Sequence, residues 1–297
     1  MESIYHITSR WWARIIIFFI LNMIFYTGMI YLIPSDEAYI HLFISLLLSS
    51  ILIESFRRNG KWYLFGIRFD FKALNDFGIG ILLTAAMLGA IFLISYIMGA
   101  NVIIKDFPYL EAFRYFTLMV FIFAAIEELF IRGVIFQALL TRFNEVVIVL
   151  ILSLLFSLMH YFNPEFSVMA MINIFLANIL MSLLYLRTLS LWMPISFHFF
   201  WNWGQQMFLG SPVSGYDFGL NYIRLDLGAI PESLSWLTGG YFGIEEGFLT
   251  TVLLITAIAL VPKYTKISAY MSASIFKRDY AEAELINGNE PSIMKNA

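Results

Sequence analysis

Long runs of apolar residues alternate with short polar stretches along most of the chain. Several runs reach the roughly 20 residues that an α-helix needs to cross the hydrocarbon core of a bilayer. They are too long and too continuous for strands, which rarely exceed ten residues. The pattern predicts about eight membrane helices, at residues 11–33, 38–55, 76–98, 113–140, 145–162, 168–187, 190–209 and 247–263.

The polar stretches divide the chain into a helical body and a tail. We expect residues 1–278 to form a single transmembrane helical domain and the polar residues 279–297 to be disordered. Residues 210–246 form the one long connection, rich in glycine and aromatic residues. This connection could be a lid, a re-entrant piece or an interfacial layer.

Composition supports a membrane protein. Hydrophobic residues make up 60% of the chain and charged residues only 13%, whereas a soluble domain carries about 25% charged residues. We therefore predict an all-α fold, a polytopic membrane helix bundle in contact with the lipid bilayer. The net charge of −3 and the absence of a basic block give no reason to expect nucleic acid as a partner, and the lack of cysteine excludes disulfides and thiolate chemistry.

The distribution of lysine and arginine predicts the orientation in the membrane. Most of the 18 positive residues fall at the amino terminus, in the segment 57–72, in two short turns and in the carboxyl-terminal tail. The opposite side holds only Lys105, Arg114 and Arg224. Because cytoplasmic loops collect Lys and Arg, we expect both termini in the cytoplasm.

A few ionisable and amide side chains interrupt the apolar runs. Such groups are costly inside a membrane and usually face the interior of the bundle, where they mark a functional site. Three of the predicted helices carry the groups that suit a catalytic site. They are Glu127, Glu128 and Arg132 in 113–140, His160 in 145–162, and His198 and Asn202 in 190–209.

Helical spacing sorts these residues into pairs. Glu128 and Arg132 are four residues apart, so they lie on one face and can neutralise each other. Glu127 points about 100° away from that face and stays available for another task. The pairs His198–Asn202 and Phe156–His160 have the same four-residue spacing.

Water activation is the chemistry that suits these groups. A carboxylate in an apolar pocket is tuned toward a general base, an imidazole can help to hold the water, and a second imidazole with an amide can stabilise an oxyanion. Structural alternatives exist for each part. Glu128–Arg132 could brace its helix, His160 could be a satisfied core histidine, and His198 with Asn202 could join helices by hydrogen bonds.

The three motifs together resemble those of a known family. "EELFIR" (127–132), "FSLMH" (156–160) and "HFFWN" (198–202) look like the EExxxR, FxxxH and HxxxN motifs, in that order. They resemble the CPBP family of intramembrane proteases, which includes the type II CAAX prenyl endopeptidases and bacterial abortive-infection and bacteriocin-immunity proteins. The resemblance covers residues 76–209, the predicted protease core.

The resemblance implies a role for each motif residue. Glu127 would be the general base and would activate water together with His160, while His198 and Asn202 would form the oxyanion site. Glu128, Arg132 and Phe156 would support this geometry. Those roles belong to the resemblance and not to the spacing alone.

The resemblance also bears on cofactors and partners. It implies glutamate-dependent hydrolysis without a cofactor. Zinc is possible but disfavoured, since the chain has no HExxH helix; if a metal were bound, Glu127, His160 and His198 would be its ligands. The expected partner is a membrane-embedded or lipidated peptide or protein, and the expected setting is a prokaryotic cell membrane.

Three functions remain open at this point. The first is an intramembrane endopeptidase acting on a membrane-associated substrate, of which a prenylated CAAX protein is one possibility. The second is a catalytically silent immunity or regulatory protein that binds a membrane peptide. The third is a transporter with ionisable groups at mid-membrane, although the chain shows no inverted repeat.

Overall fold

The computed structural model describes residue 8 and residues 10–32, 37–57 and 66–264. About three-quarters of this part is helical and little of it is sheet, which confirms the predicted all-α class. The predicted tail 279–297 lies outside the described residues. The main helices are α1 (Trp11–Leu32), α2 (Ala38–Arg57), α3 (Phe71–Ile97), α4 (Leu110–Glu128), α5 (Phe136–Leu140), α6 (Glu145–Met159), α7 (Val168–Thr188), α8 (Trp192–Leu209), α9 (Ser235–Thr238) and α10 (Phe248–Tyr264).

Four of these helices are long and apolar enough to cross a membrane. They are α1, α3 and α7 in full, and residues Ala38–Phe56 of α2. The helices Glu145–Met159 and Phe248–Val261 are apolar but shorter. The helical membrane bundle is thus supported, and the count of eight crossings stays a prediction.

Polar caps set the starts of several helices. Asp70 accepts a hydrogen bond from the backbone N–H of Ala73 at the start of α3, with a distance of 2.8 Å. Asn144 caps α6 and Ser167 caps α7 in the same way. Because α3 begins at Phe71, five residues before the predicted start at 76, the cap and not the apolar run decides this boundary.

The predicted helix 113–140 is interrupted at the charged motif. A π-helical turn, Leu129–Ile135, separates α4 from α5. Within it, Gly133 has non-helical backbone angles (φ −69°, ψ −113°). π-Helical turns are rare and are found frequently at functional sites. Here the turn begins directly after Glu128 and contains Arg132.

Helix α3 packs closely against α8 and fixes its position. A Cβ atom on Gly80 would lie 1.9 Å from Ser196 Oγ and 2.7 Å from the Met193 carbonyl oxygen, so only glycine allows this approach. One turn later, the Thr84 hydroxyl donates to the Phe197 carbonyl oxygen at 3.1 Å. The helix that carries His198 and Asn202 is therefore held rigidly on one side.

Helices α1 and α2 form a pair that is tied by buried charges. Arg14, which is 2% exposed, forms an ion pair with Glu54, which is fully buried. Arg14 is one of the amino-terminal positive residues on which the predicted orientation rests. Since it is buried in this pair, it contributes to packing and not to a cytoplasmic surface.

The connection 210–246 contains short helical turns and one strand of a small sheet. Strand β2 (Ile223–Asp226) pairs antiparallel with β1 (Asn101–Ile104), with Asn101 opposite Asp226. The 3-10 turn Ile244–Glu246 follows later in the connection and precedes α10. Its buried residue Glu245 brings this connection to the site described next.

Candidate active site

The two motif glutamates lie at the junction between α4 and the π-helical turn. Glu128 is fully buried, whereas the side chain of Glu127 is 28% exposed. Consecutive residues on a helix point about 100° apart, so the two carboxylates face different surroundings. The difference in exposure agrees with the division predicted from spacing.

Glu128 and Arg132 form the expected pair, and the pair extends to His198. The Arg132 Nη1 group donates to Glu128 Oε2 at 2.7 Å. The other carboxylate oxygen, Glu128 Oε1, lies 3.1 Å from His198 Nδ1. Glu128 thus uses both oxygens inside the protein, and it is not free to act on a substrate.

The Arg132 guanidinium is held from several sides. Its Nη2 group donates to the Asn178 carbonyl oxygen at 3.0 Å and lies 3.4 Å from the Ser182 hydroxyl. The Phe156 ring lies beneath it, with 5.9 Å from the guanidinium carbon to the ring centroid, a cation–π distance. Phe156, the first residue of the second motif, therefore supports the first.

The contacts of His198 fix its tautomer. Because a carboxylate only accepts hydrogen bonds, Nδ1 carries the hydrogen that is shared with Glu128. Its Nε2 atom lies 3.7 Å from Glu127 Oε2, which is longer than a hydrogen bond. That Glu127 oxygen is buried and has no hydrogen-bond partner. The third motif thus meets the first, and the Glu127 oxygen is left for another donor.

His160 lies one residue beyond α6. The helix ends at Met159 and not at 162 as predicted, and His160 caps it. The ring nitrogen Nδ1 lies 2.9 Å from the carbonyl oxygen of Phe156. Because a carbonyl oxygen only accepts, Nδ1 carries the hydrogen, and Nε2 is left as the unprotonated atom of the neutral ring.

Three of the four residues with expected catalytic roles line one cavity. His160, His198 and Asn202 surround a space of about 40 Å³, together with Phe156 and Glu245. A water molecule needs about 10–15 Å³ by this measure, so the space accommodates roughly one to three waters. Its lining is polar enough to hold them.

Glu127 does not line that cavity. It borders a neighbouring one of about 200 Å³, which is mostly apolar and reaches Phe18 in α1 and Leu46 in α2. Phe156 lines both cavities. The structure therefore places Glu127 beside His198 and does not place it in a cavity shared with His160.

The possible metal ligands do not form a metal site. Among the residues that the structure describes, no group of three or more His, Asp or Glu is placed to hold an ion. Glu127 and His160 border different cavities, and the Nδ1 atoms of both histidines are already engaged. We therefore derive no step through a metal.

The same part of the chain matches a known family model. Residues 110–204 match the model described as Rce1-like, type II CAAX prenyl endopeptidase Rce1-like. We refer to this matched region as the Rce1-like domain. The match supports the CPBP/CAAX protease family that the three motifs indicate. No curated protein and no solved structure matches the chain.

The Rce1-like domain contains all three motifs but only part of the surroundings of the site. It extends from the start of α4 to Gly204 in α8. Helices α1, α2 and α3 precede it, and the connection 210–246 follows it. Walls of both cavities therefore come from residues outside the matched region.

Glu245 is a residue of the site that the motifs do not reveal. It is 9% exposed, lines the cavity around His160 and lies 41 residues beyond the end of the Rce1-like domain. Burial raises the pKa of its carboxyl above the ordinary value of 4.5, and the hydrogen bond from the Ser214 N–H, at 2.5 Å, partly opposes this effect. In the sequence, the adjacent glutamates 245 and 246 just before an apolar run were the available signal.

Replacing Glu245 with glutamine is expected to make stability less dependent on pH. Because the folded protein has the raised pKa, the unfolded chain loses its proton first as the pH rises from about 4.3. Wild-type stability therefore falls through this range, and the E245Q variant avoids the loss. We expect an apparent Tm about 2–4 °C above wild type near pH 8, and no advantage near pH 4.

Thermal unfolding in detergent at both pH values measures this effect. Glu246→Gln is the matched control, because Glu246 is the adjacent carboxyl and accepts from the backbone N–H of Phe242. An equal gain for E245Q at both pH values would contradict a raised pKa of Glu245 in the folded protein.

Proposed function

We propose that this protein is an intramembrane endopeptidase that hydrolyses a peptide bond of a membrane-associated substrate. The observation that carries the proposal is the division of labour between the two glutamates. Glu128 is fully engaged by Arg132 and His198, whereas Glu127 keeps a buried oxygen without a hydrogen-bond partner, 3.7 Å from His198 Nε2. An available carboxylate beside an imidazole is the arrangement of a general base.

In the proposed reaction, Glu127 takes a proton from a water molecule. The water oxygen bonds to the carbonyl carbon of the substrate, and the carbonyl oxygen becomes an oxyanion. His198, through Nε2–H, and the Asn202 amide donate hydrogen bonds to that oxyanion. The carbon–nitrogen bond then breaks, and the leaving amine receives a proton, for which His160 is the nearby exchanging group.

Glu128 and Arg132 make the role of His198 possible. To donate from Nε2 while Nδ1–H stays on Glu128, the His198 ring must carry both hydrogens. The buried carboxylate of Glu128 stabilises that charged ring, and Arg132 keeps Glu128 ionised and in place. The two residues therefore act through His198 and not on the substrate.

The substrate class follows from the surroundings of the site. The site lies within a membrane helical bundle, and the cavity beside Glu127 is mostly apolar. Both features suit a membrane-embedded or lipidated peptide, including a prenylated CAAX protein. The Rce1-like domain supports the same class. We further propose a prokaryotic cell membrane as the location and, from the charge distribution, cytoplasmic termini.

A comparison of membrane peptides from two strains tests the proposed function. One strain produces the wild-type protein and the other produces the Glu127→Ala variant at the same level. We expect specific membrane proteins to be shortened only in the wild-type strain. In a second assay, we expect a farnesylated CAAX peptide to be cleaved only by the purified wild-type protein. A catalytically silent binding protein would be favoured if both strains contain the same membrane peptides and both forms of the protein restore the phenotype of cells that lack it.

A further inference from the structure

Glu245 is a buried carboxyl group in the active-site cavity that the proposed reaction does not use. It shares the cavity with His160, His198 and Asn202 but lies outside the Rce1-like domain. Buried carboxyl groups are uncommon unless they have a partner or a task. Its surroundings indicate which of these applies.

The turn that carries Glu245 is clamped between two helices. Asn173 in α7 donates to the Glu245 carbonyl oxygen at 2.7 Å and to the Gly247 carbonyl oxygen at 3.0 Å. Thr250 in α10 donates to the Ile244 carbonyl oxygen at 2.7 Å. The backbone of the turn that carries Glu245 is therefore held by helices α7 and α10.

The two oxygens of the Glu245 carboxyl have different surroundings. Oε2 accepts from the Ser214 N–H at 2.5 Å and lies 3.5 Å from Gln205 Nε2. Among the described residues, the hydrogen-bond partner of Oε1 is the Ser214 hydroxyl, at 3.4 Å. One oxygen is thus held as an acceptor, and the other is left to carry a proton.

His160 is the titratable group best placed to exchange that proton. Its Nδ1–H is used by the Phe156 carbonyl oxygen, which leaves Nε2 as its acceptor. His198 is the other titratable side chain of the lining, but Glu128 holds its Nδ1. The remaining polar side chains of the lining are neutral and come from α7, α8, α10 and the connection 210–246: Asn173, Asn202, Thr250 and Ser214.

We propose that Glu245 is the proton-holding partner of His160, and that this pair supplies the proton to the amine that leaves when the peptide bond breaks. The inference rests on the proposed function and deepens it. Glu245 acts through His160 and does not touch the substrate, so it is a positioning residue. The family resemblance implies that Glu127 is the carboxyl partner of His160. We instead assign Glu245 as that partner.

The proton balance of the reaction closes with this pair. Glu127 accepts one proton from the water, whose oxygen forms the new bond to the carbonyl carbon. Glu245 gives its proton to Nε2 of His160, and His160 passes a proton from Nε2 to the nitrogen as the carbon–nitrogen bond breaks. Transfer of the proton from Glu127 back to Glu245 through solvent restores the starting state, with no net proton gained or lost.

The different environments of the two carboxyls fit these different tasks. Glu127 is 28% exposed and lies beside the imidazole of His198. Glu245 is 9% exposed and has no arginine or lysine in the shared cavity. A pair of carboxyls in such unequal surroundings commonly divides into a base and an acid.

A leaving-group comparison tests the inference. The probes are a farnesylated CAAX peptide and the matched compound with an ester in place of the scissile amide. An alkoxide leaves with far less need of a proton than an amine does. We expect Glu245→Gln to lower kcat/KM for the amide by about 10²-fold or more and for the ester by less than about 3-fold.

Two controls separate this role from a structural one. Glu246→Gln should leave both rates unchanged, and His160→Ala should reproduce the amide-selective loss. The fall in wild-type amide cleavage at high pH should disappear or move in E245Q, because the titrating acid is gone. A structural defect would lower both rates together and leave the shape of the pH profile unchanged.

The possible outcomes are distinct for the two proposals. Equal losses of ester and amide cleavage in E245Q, with cleavage still dependent on Glu127, would overturn the role of Glu245 alone. No loss in E245Q would do the same. If wild type cleaves neither compound, the proposed function fails for this substrate class, and the role of Glu245 falls with it.

Discussion

Replacing Glu127 with glutamine is expected to lower kcat/KM for peptide cleavage by about 10²–10⁴-fold. Glutamine keeps the size and the hydrogen-bonding capacity of the side chain but cannot take a proton from water. Because the Glu127 oxygen nearest to His198 has no hydrogen-bond partner, the change breaks no hydrogen bond of that oxygen in the described structure. Folding should be unaffected, and the loss should appear mainly in kcat.

Kinetics on the purified protein in detergent, with a farnesylated CAAX peptide, measure this effect. Glu111→Gln is the matched control, since Glu111 is a carboxyl in the first turn of the same helix and is exposed. Peptide binding to Glu127→Gln should stay within about 3-fold of wild type, because the substitution removes a proton acceptor and no bulk. Wild-type cleavage rates in E127Q would show that another group activates the water.

Replacing Arg132 with methionine is expected to destabilise the fold by about 3–5 kcal/mol. Both members of the pair are fully buried, and the Glu128 carboxylate would lose its main counter-charge. The variant should also be inactive, because Glu128 could no longer hold His198 in place. Removing both charges, in Glu128→Gln with Arg132→Met, should recover much of the stability but not the activity.

Unfolding in detergent for the wild type, the two single variants and the double variant gives the coupling between the two charges. Arg114→Met is the matched control, since Arg114 is exposed near the start of the same helix. We expect less than about 0.5 kcal/mol for this control. A double variant that is no more stable than Arg132→Met would show that the pair is not a coupled unit.

The charged motif shows how much of the site could be predicted from sequence. Four-residue spacing predicted that Glu128 pairs with Arg132 and that Glu127 points elsewhere, and both features are present. The spacing did not reveal the π-helical turn that begins after Glu128, because one extra residue per helical turn does not change the apolar pattern of the sequence. Nor did it reveal that His198 bridges the two glutamates.

The position of His160 shows that an apolar run does not predict the end of a helix to within a residue or two. The apolar run predicted a helix through 162, but α6 ends at Met159 and His160 caps it. Helix ends are decided by hydrogen bonds over one or two residues, which hydropathy does not resolve. The shared cavity of His160 and Glu245 was equally hidden, because the two residues are 85 positions apart in the chain.

The sequence by itself determined the membrane class, most of the helices, the family and the set of motif residues, since all of these depend on composition and on spacing within single helices. Only the tertiary structure decided which acid meets which imidazole: Glu127 and Glu128 flank His198, and Glu245 shares a cavity with His160. It also revealed the buried Arg14–Glu54 pair and the two separate cavities. The physical reason is that contacts between helices depend on the rotation of each helix about its axis and on the residue at which it ends. Hydrogen bonds of single polar side chains and close approaches of helices at glycine determine both.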